Sequence, residues 1–501
     1  MGTLQYYLRD RAAETPNIEA IISPNARYTY KQFNERTNQL AHYLLQTGIQ
    51  KGDRIAILCK NNHPNPTIVM AALKIGAVAV PLNWRLTSFE LEKTAKVAQP
   101  KILFYDEEFS ENLSPIHPLI EKVIPVGVGM CLTRNFADIF TQYPVEEPSV
   151  APVTEDDLAF LLFTSGTTGT PKGCMMRHGS WDLFYRQFGK RMGEGLRFLS
   201  VHPLFHLSST SITLGIIYGG QTMVFIEETD PVSILKAIET QKINLMFAFP
   251  SVYTYMLEEM KKKKYDLTTL LAVTSGGTQV PSALIKQYVS QGIPMTQGYG
   301  STEATVVSSW HPKMGLDTAD SVGKLALHVE VKIIDPETGQ PMPPGEVGEV
   351  IVKSPYLFKG YFHNPDATRQ VLIDGWLHTG DAGRLDEQGF LYISSRYKDV
   401  IVYGGDNVYP TEVEEVIHQI EDVLEVAVVG VPHPVMGEAP RAYVIKKGKS
   451  SLTEREIIQK CREKLAAYKI PEVVFVTELP KNGLGKILKH VLREQGHLVG
   501  V

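Results

Sequence analysis

Apolar and polar positions along this 501-residue chain change rhythm twice. Over residues 1–150, short apolar runs alternate with helical spacing. Phe33, Leu40, Tyr43, Leu44 and Leu45 recur at helical intervals and stop at Gly48, a residue that commonly ends helices. Residues 54–59 then read as a strand, 67–75 as a helix closed by Gly76, and 77–81 as the next strand. The pattern returns over about 155–310, with 158–163 (LAFLLF) as a buried strand. Strand–helix alternation predicts parallel sheets covered by helices.

From about 320 the texture changes. Residues 329–334 and 347–352 read as strands flanking the turn-rich 335–345, which predicts a small β region. A third texture starts at 396: a βα unit over 400–420, a strand over 423–429, a helix over 454–467 and a strand over 473–476. The expectation is an α/β fold with a large N-terminal domain, residues 1–395, built of parallel-sheet subdomains plus a small β region. A small, mobile α+β C-terminal domain, 396–501, follows it.

Composition is that of an ordinary globular protein, 43% apolar and 21% charged, and the net charge of −5 argues against a nucleic-acid partner. Cys59, Cys131, Cys174 and Cys461 match no metal spacing or disulfide framework, which fits a reducing, cytoplasmic setting. No apolar run approaches the ~18 residues of a membrane helix. No secretory leader is expected, and Tyr6 stands where N-myristoylation wants Ser or Thr. The last residues do not form a peroxisomal address, and nothing indicates a carrier domain after Val501. Oligomeric state is open, a homodimer included.

Chemistry concentrates in a few segments. Residues 163–173 (FTSGTTGTPKG) place Thr164, Ser165, Thr167, Thr168, three glycines and Lys172 directly after the buried strand. Backbone N–H groups, hydroxyls and one ammonium gathered in this way suit phosphate oxygens. The segment is not a Walker loop, which would need glycine at Pro171. Gln297, Gly298, Tyr299, Gly300, Thr302 and Glu303 combine an aromatic ring, bare backbone, a hydroxyl and a carboxylate that suits Mg²⁺. Asp381 ends a Trp-Leu-His-Thr-Gly-Asp run and could accept both hydroxyls of a ribose, as acidic residues do in dinucleotide sites. Then come Arg396-Tyr-Lys398-Asp, Gly404-Gly405-Asp-Asn and, near the end, Lys486 within Leu-Pro-Lys-Asn-Gly-Leu-Gly-Lys. His202 and His206 lie four apart, but Pro203 and the missing glutamate argue against a His-Glu-x-x-His metal site. His202 reads as a core histidine.

In order and spacing these segments resemble the adenylate-forming superfamily of acyl-CoA synthetases, peptide-synthetase adenylation domains and luciferases. The likeness covers essentially the whole chain and is greatest to the carboxylic acid–CoA ligase branch. It implies a two-step reaction: a carboxylate attacks the α-phosphate of MgATP to give an acyl-adenylate, and coenzyme A then takes the acyl group. On this chain, Thr164, Ser165, Gly166, Thr167, Thr168, Gly169 and Lys172 would wrap the β- and γ-phosphates. Thr302 would touch the α-phosphate and Glu303 would ligate magnesium. Tyr299 would flank adenine opposite Ser275, Gly276 and Gly277. Asp381 would hold the ribose with Arg396 nearby, and Lys486 would bridge the acid and the α-phosphate.

The resemblance also implies a hinge at Lys398 and a pantetheine path along Gly404 and Gly405. His206 would stand by the acyl group, with Phe249, Tyr253, Ser275, Gly276 and Gly298 as further pocket candidates, a mostly apolar set that favours a medium- or long-chain fatty or aryl acid. Two departures stand out: Ser395 where the family usually has glycine, and no Pro/Gly pair after Gly323. Neither touches a catalytic group. The rival readings are an adenylate-forming enzyme that hands its acyl group to a carrier protein or other acceptor, and a nucleotide-binding regulator without chemistry.

Overall fold

In a computed structural model, the described residues are 2–128, 131–164, 171–188, 193–403, 406–433, 435–448, 450–465, 467–482 and 486–498. Among them, two parallel-centred sheets dominate the large domain. The nine-stranded sheet runs its central strands Glu19–Ser23, Thr222–Val224, Arg197–Leu199, Leu245–Ala248, Ala272–Gly276 and Met295–Tyr299 parallel, with antiparallel strands at both edges. The six-stranded sheet orders Arg54–Leu58, Val78–Pro81, Ile102–Tyr105, Lys122–Pro125 and Leu158–Thr164 in parallel and closes with the antiparallel Lys172–Arg177.

The helices that cover these sheets start where local chemistry says they should. Tyr30–Gln46 and Ser88–Ala98 both begin with a capping box, Thr29 with Gln32 and Thr87 with Glu90. Pro64–Lys74 is buried along its whole length, which explains why it reads apolar all round. Its last residue pays for that burial with a partner: the Lys74 ammonium, 2% exposed, lies 2.5 Å from Glu147. Asn34 and Asn38 donate to the same carboxylate.

The predicted β region is a five-stranded antiparallel sheet that includes Glu330–Ile334, Gly348–Lys353, Trp376–Leu385 and Leu391–Arg396. Arg396 is still paired in this sheet, opposite Asp381. The chain then crosses the short turn Tyr397–Asp399 and enters a different sheet at Ile401–Tyr403. That last sheet is built on the long hairpin Val423–His433 and Gly437–Lys446, with Glu472–Phe475 added in parallel. It has its own apolar core around Ile401, Val413, Ile417, Val428, Val444 and Ile457. Among the described residues, no helix is long and apolar enough to cross a membrane.

Four large-domain histidines are held neutral, His63, His178 and His202 buried and His206 half-buried, with burial pushing His202 well down. Burial above all lowers His63 and His206 to about 3 and His178 to about 4, from the usual 6.5. Neither ring nitrogen of His178 has a hydrogen-bond partner. The unfolded chain therefore binds protons between pH 4 and 6.5 that the folded chain refuses, so stability is full above 6.5 and falls as pH drops toward 4. Denaturant unfolding measured across this range should show that slope, and His178→Phe should flatten it by on the order of 2 kcal/mol. An unchanged slope in the variant would contradict a neutral buried His178.

Candidate functional site

Two strand ends, where open α/β sheets bind ligands, lie at one place: Met295–Tyr299 reaches the β region through Tyr299 and Asp381, and Leu158–Thr164 ends beside Cys174 and Glu303. The strands Leu158–Thr164 and Lys172–Arg177 pair so that Thr164 stands opposite Lys172. The Lys172 ammonium lies 5.1 Å from the centre of the Tyr361 ring. Between them, the expected phosphate residues Ser165, Gly166, Thr167, Thr168 and Gly169 lie outside the described residues. Cys174, next along the second strand, is fully buried. Burial and the adjacent Glu303 carboxylate push its thiol well up, with Thr164 opposing.

Glu303 comes from the turn that joins Met295–Tyr299 to its antiparallel neighbour Ser308–Trp310. The turn is tight. A Cβ on Gly300 would meet the Thr305 carbonyl oxygen at 2.2 Å, and Thr305 itself takes a positive φ of 66°. The Ala304 N–H donates to Ser301 Oγ at 3.1 Å. This geometry leaves Thr302 and Glu303 half-buried at the sheet end. Tyr361 Oη donates to Glu303 Oε1 at 2.7 Å, and the Phe358 N–H donates to the Glu303 carbonyl at 2.9 Å.

Asp381 is the centre of the site. It is 5% exposed, accepts from Tyr299 Oη at 2.6 Å and forms an ion pair with Arg396, whose Nε lies 2.6 Å from Oδ1. Burial raises its pKa, the nearby Glu303 adds to this, and Arg396, Tyr299 and Lys486 oppose it. The small domain thus brings the Lys486 ammonium close enough to act on a carboxylate of the large domain. Lys486 is exposed, and its backbone is held by Asn482: the Lys486 N–H donates to Asn482 Oδ1 at 3.0 Å, and the Asn482 N–H to the Lys486 carbonyl at 2.9 Å. Lys398 lies on the crossing turn Tyr397–Asp399. Gly404 and Gly405 lie outside the described residues.

Several expected residues contribute differently than their types suggest. The Gln297 amide is buried and donates to the Ala319 and Ser321 carbonyls at 3.0 and 2.6 Å. Ser275 Oγ donates to the Ala248 carbonyl at 3.0 Å. Tyr253 is a core residue whose Oη donates to the Met246 and Thr274 carbonyls. All three side chains brace the sheet from within, because a buried hydroxyl or amide must find a partner and backbone carbonyls are nearest. What this part of the sheet presents instead is bare backbone. A Cβ on Gly276 would meet the Gly298 carbonyl oxygen at 2.7 Å, and one on Gly277 the Phe249 ring at 2.9 Å.

Beside this wall the His206 ring packs on Phe205 (4.6 Å between centres) and His202 (4.8 Å), and His202 on Phe249 (4.4 Å). Burial first, and Arg85 second, keep His206 neutral, with a pKa of about 3. His202 Nδ1 pairs with Ser209 Oγ at 2.5 Å, as a core histidine should. Behind it lies a void of only about 10 Å³, room for about one water, walled by Phe198, His202, Ile212, Thr213, Ile216 and Phe247.

The sequence reading missed Tyr361, Cys174 and Arg85 as parts of this region. Tyr361 lies 58 residues from Glu303, and no local pattern marks the pair. Arg85, 4.5 Å over the Trp84 ring, carries no local mark of its place, because its closeness to His206 depends on how the two sheets meet.

Comparison with known proteins agrees with this geometry. The model of the AMP-binding enzyme family matches residues 8–362, and that of the AMP-binding enzyme C-terminal domain matches 412–486. The chain is 48% identical over 500 residues, 99% of each chain, to Bacillus subtilis (strain 168) YdaB, provisionally described as an acyl–CoA ligase. It is 34% identical over 495 residues, 97% of each, to a feruloyl-CoA synthase of Amycolatopsis sp. Among solved structures, the anthranilate CoA ligase AuaEII in complex with anthranoyl-AMP superposes with a TM-score of 0.92 at 28% identity, covering 99% of this chain and 98% of that one.

The thiols offer a direct check on burial at the site. Cys131 is exposed, whereas Cys59, Cys174 and Cys461 are buried with their thiols pushed up. DTNB should titrate Cys131 alone in the native protein and the other three only after unfolding. Native Cys174 reacting as fast as Cys131 would contradict its packing against Glu303.

Proposed function

Since the chain belongs to the family of AMP-binding enzymes, we propose that it activates a hydrophobic carboxylic acid with ATP and joins it to coenzyme A. The observation that carries this reading is the Lys486 ammonium of the small domain, acting on Asp381 beside Glu303 and the Thr164–Lys172 strand ends. A triphosphate laid along this line meets the residues in an order that suits its charge. Lys172 would face the terminal phosphates and Thr302 the α-phosphate, with Glu303 placed to hold Mg²⁺. Asp381, whose oxygens keep lone pairs beyond those given to Tyr299 and Arg396, takes the ribose hydroxyls. The bare backbone of Gly276, Gly277 and Gly298 admits the flat adenine next to Tyr299.

In the first step a carboxylate oxygen of the acid bonds to the α-phosphorus, and the bond to the bridging oxygen breaks to release pyrophosphate. Two anions are forced together, and Lys486 is the fixed cation between them. Glu303 is one carboxylate held by Tyr361, which suits a Mg²⁺ that draws its other ligands from phosphate and water. The cation would neutralise charge on the departing pyrophosphate. In the second step the coenzyme A sulfur bonds to the acyl carbon and AMP leaves. The turn at Lys398 is the hinge that moves Lys486 away, and the path past Gly404 and Gly405 brings the thiol in.

The acid lies against His206, Phe249 and His202. Neutral His206 offers no cation, and the aromatic rings packed around it favour ring-bearing acids over long flexible chains. The free, buried thiols suit a reducing cytoplasm.

A panel of aryl and fatty acids, assayed for acid-dependent ATP–pyrophosphate exchange and for CoA thioester, tests the reading. Thioester is expected with aryl acids. Exchange without thioester would select a different acyl acceptor, and no exchange with any acid would contradict the reading. Lys486→Ala should lower exchange by about 10²–10³, and full activity in that variant would remove Lys486 from the chemistry.

A further inference from the structure

Among the described residues, polar contacts join the two domains along one seam, and one of them leads directly to Lys486. Glu425 sits on the strand Val423–His433, just past an irregularity in its pairing, and is only 7% exposed. Its carboxylate serves both domains at once. Tyr255 Oη, from the large-domain helix Pro250–Lys262, donates to Oε1 at 2.9 Å. Lys481 Nζ, from the small domain, donates to Oε1 at 2.8 Å and lies 2.6 Å from Oε2.

Lys481 stands at the foot of the loop that carries Lys486. It forms an antiparallel bridge with Ile487, the Leu488 N–H donates to the Pro480 carbonyl at 2.7 Å, and Asn482 and Lys486 exchange the two hydrogen bonds described above. A rigid path therefore runs from Tyr255 through Glu425 and Lys481 to the base of Lys486. Burial and the Glu425 carboxylate push the Tyr255 phenol up to about 12, so Tyr255 remains the donor at working pH. Further contacts lie along the same seam: Lys447 to Glu258 at 3.3 Å, Ser282 to Glu415, and Thr411 to the Ser394 carbonyl.

We propose that Glu425 is a positioning residue for the first half-reaction: it latches the small domain to Tyr255 and, through Lys481, fixes the loop that delivers Lys486. This rests on the two-step reading above. The Tyr255–Glu425 bond exists only while the small domain is docked in this orientation. The Lys481–Glu425 pair lies within the small domain and travels with it. A charge-assisted hydrogen bond made in one orientation and lost in the other biases the docking equilibrium without touching any reacting atom.

Tyr255→Phe isolates the latch, since it removes one oxygen from a partly exposed side chain and leaves both domain cores intact. ATP–pyrophosphate exchange should fall roughly tenfold, as expected from losing one hydrogen bond to a charged group. Thioester formation from supplied acyl-adenylate and coenzyme A should be unchanged, as should the melting temperature. Glu425→Gln, which keeps the shape but weakens both bonds, should show the same split between half-reactions.

Hydrogen exchange provides a readout that needs no acid: the amides of Asn482 and Lys486 should exchange faster in Glu425→Gln, which weakens the hold on Lys481, than in the parent. Equal loss of both half-reactions, loss of neither, or unaltered exchange of those amides would overturn the latch. Absence of pyrophosphate exchange in the parent would overturn the proposed function instead, leaving the amides to decide on the latch.

Discussion

One buried carboxylate holds this structure's working parts in register. Asp381 is carried by the β region, yet its partners come from elsewhere: Tyr299 from the end of the nine-stranded sheet, Arg396 from the last residue before the chain changes sheets, and Lys486 by its field from the small domain. Removing such a group from water is costly unless several donors converge on it. Here the convergence ties a sheet end, a domain boundary and a cation of the small domain to one point. Glu303 and Tyr361 form a parallel pair close by, and Arg396 also acts on Tyr361, so the two clusters are electrostatically continuous.

The fold brings these groups together through topology. Each large sheet ends a parallel strand near the site, and the wholly buried helix Pro64–Lys74 belongs to the same apolar core as strands of both. Backbone takes over where side chains would obstruct. Gly276 and Gly300 sit so close to neighbouring carbonyl oxygens that any Cβ would force the chains apart.

Much of this was legible in local pattern. The helical spacing of Phe33 to Leu45 corresponds to Tyr30–Gln46, the apolar run at 158–163 to Leu158–Thr164, and the change of texture near 396 to the crossing between sheets. Motif density singled out Lys172, Glu303, Asp381 and Lys486, and the fold brings Glu303 and Lys486 within electrostatic reach of Asp381. Residue type misled where a polar side chain was buried to brace the sheet: Gln297 and Ser275 sit in binding-like segments, yet both bond to core carbonyls. Pairs set by tertiary contact left no trace in the chain. Tyr361 with Glu303, Tyr299 with Asp381 and Tyr255 with Glu425 are separated by 58, 82 and 170 residues.

The central claim is that Lys486 and Lys172, from different domains, face the phosphates of one bound nucleotide. An ATP analogue ending in a pyridoxal aldehyde forms an imine with whichever lysine lies beside its polyphosphate, and borohydride makes the bond permanent for peptide mapping. The account predicts label on Lys486 and Lys172, both protected by excess ATP. Label confined to other lysines, with Lys486 untouched at saturating analogue, would contradict it.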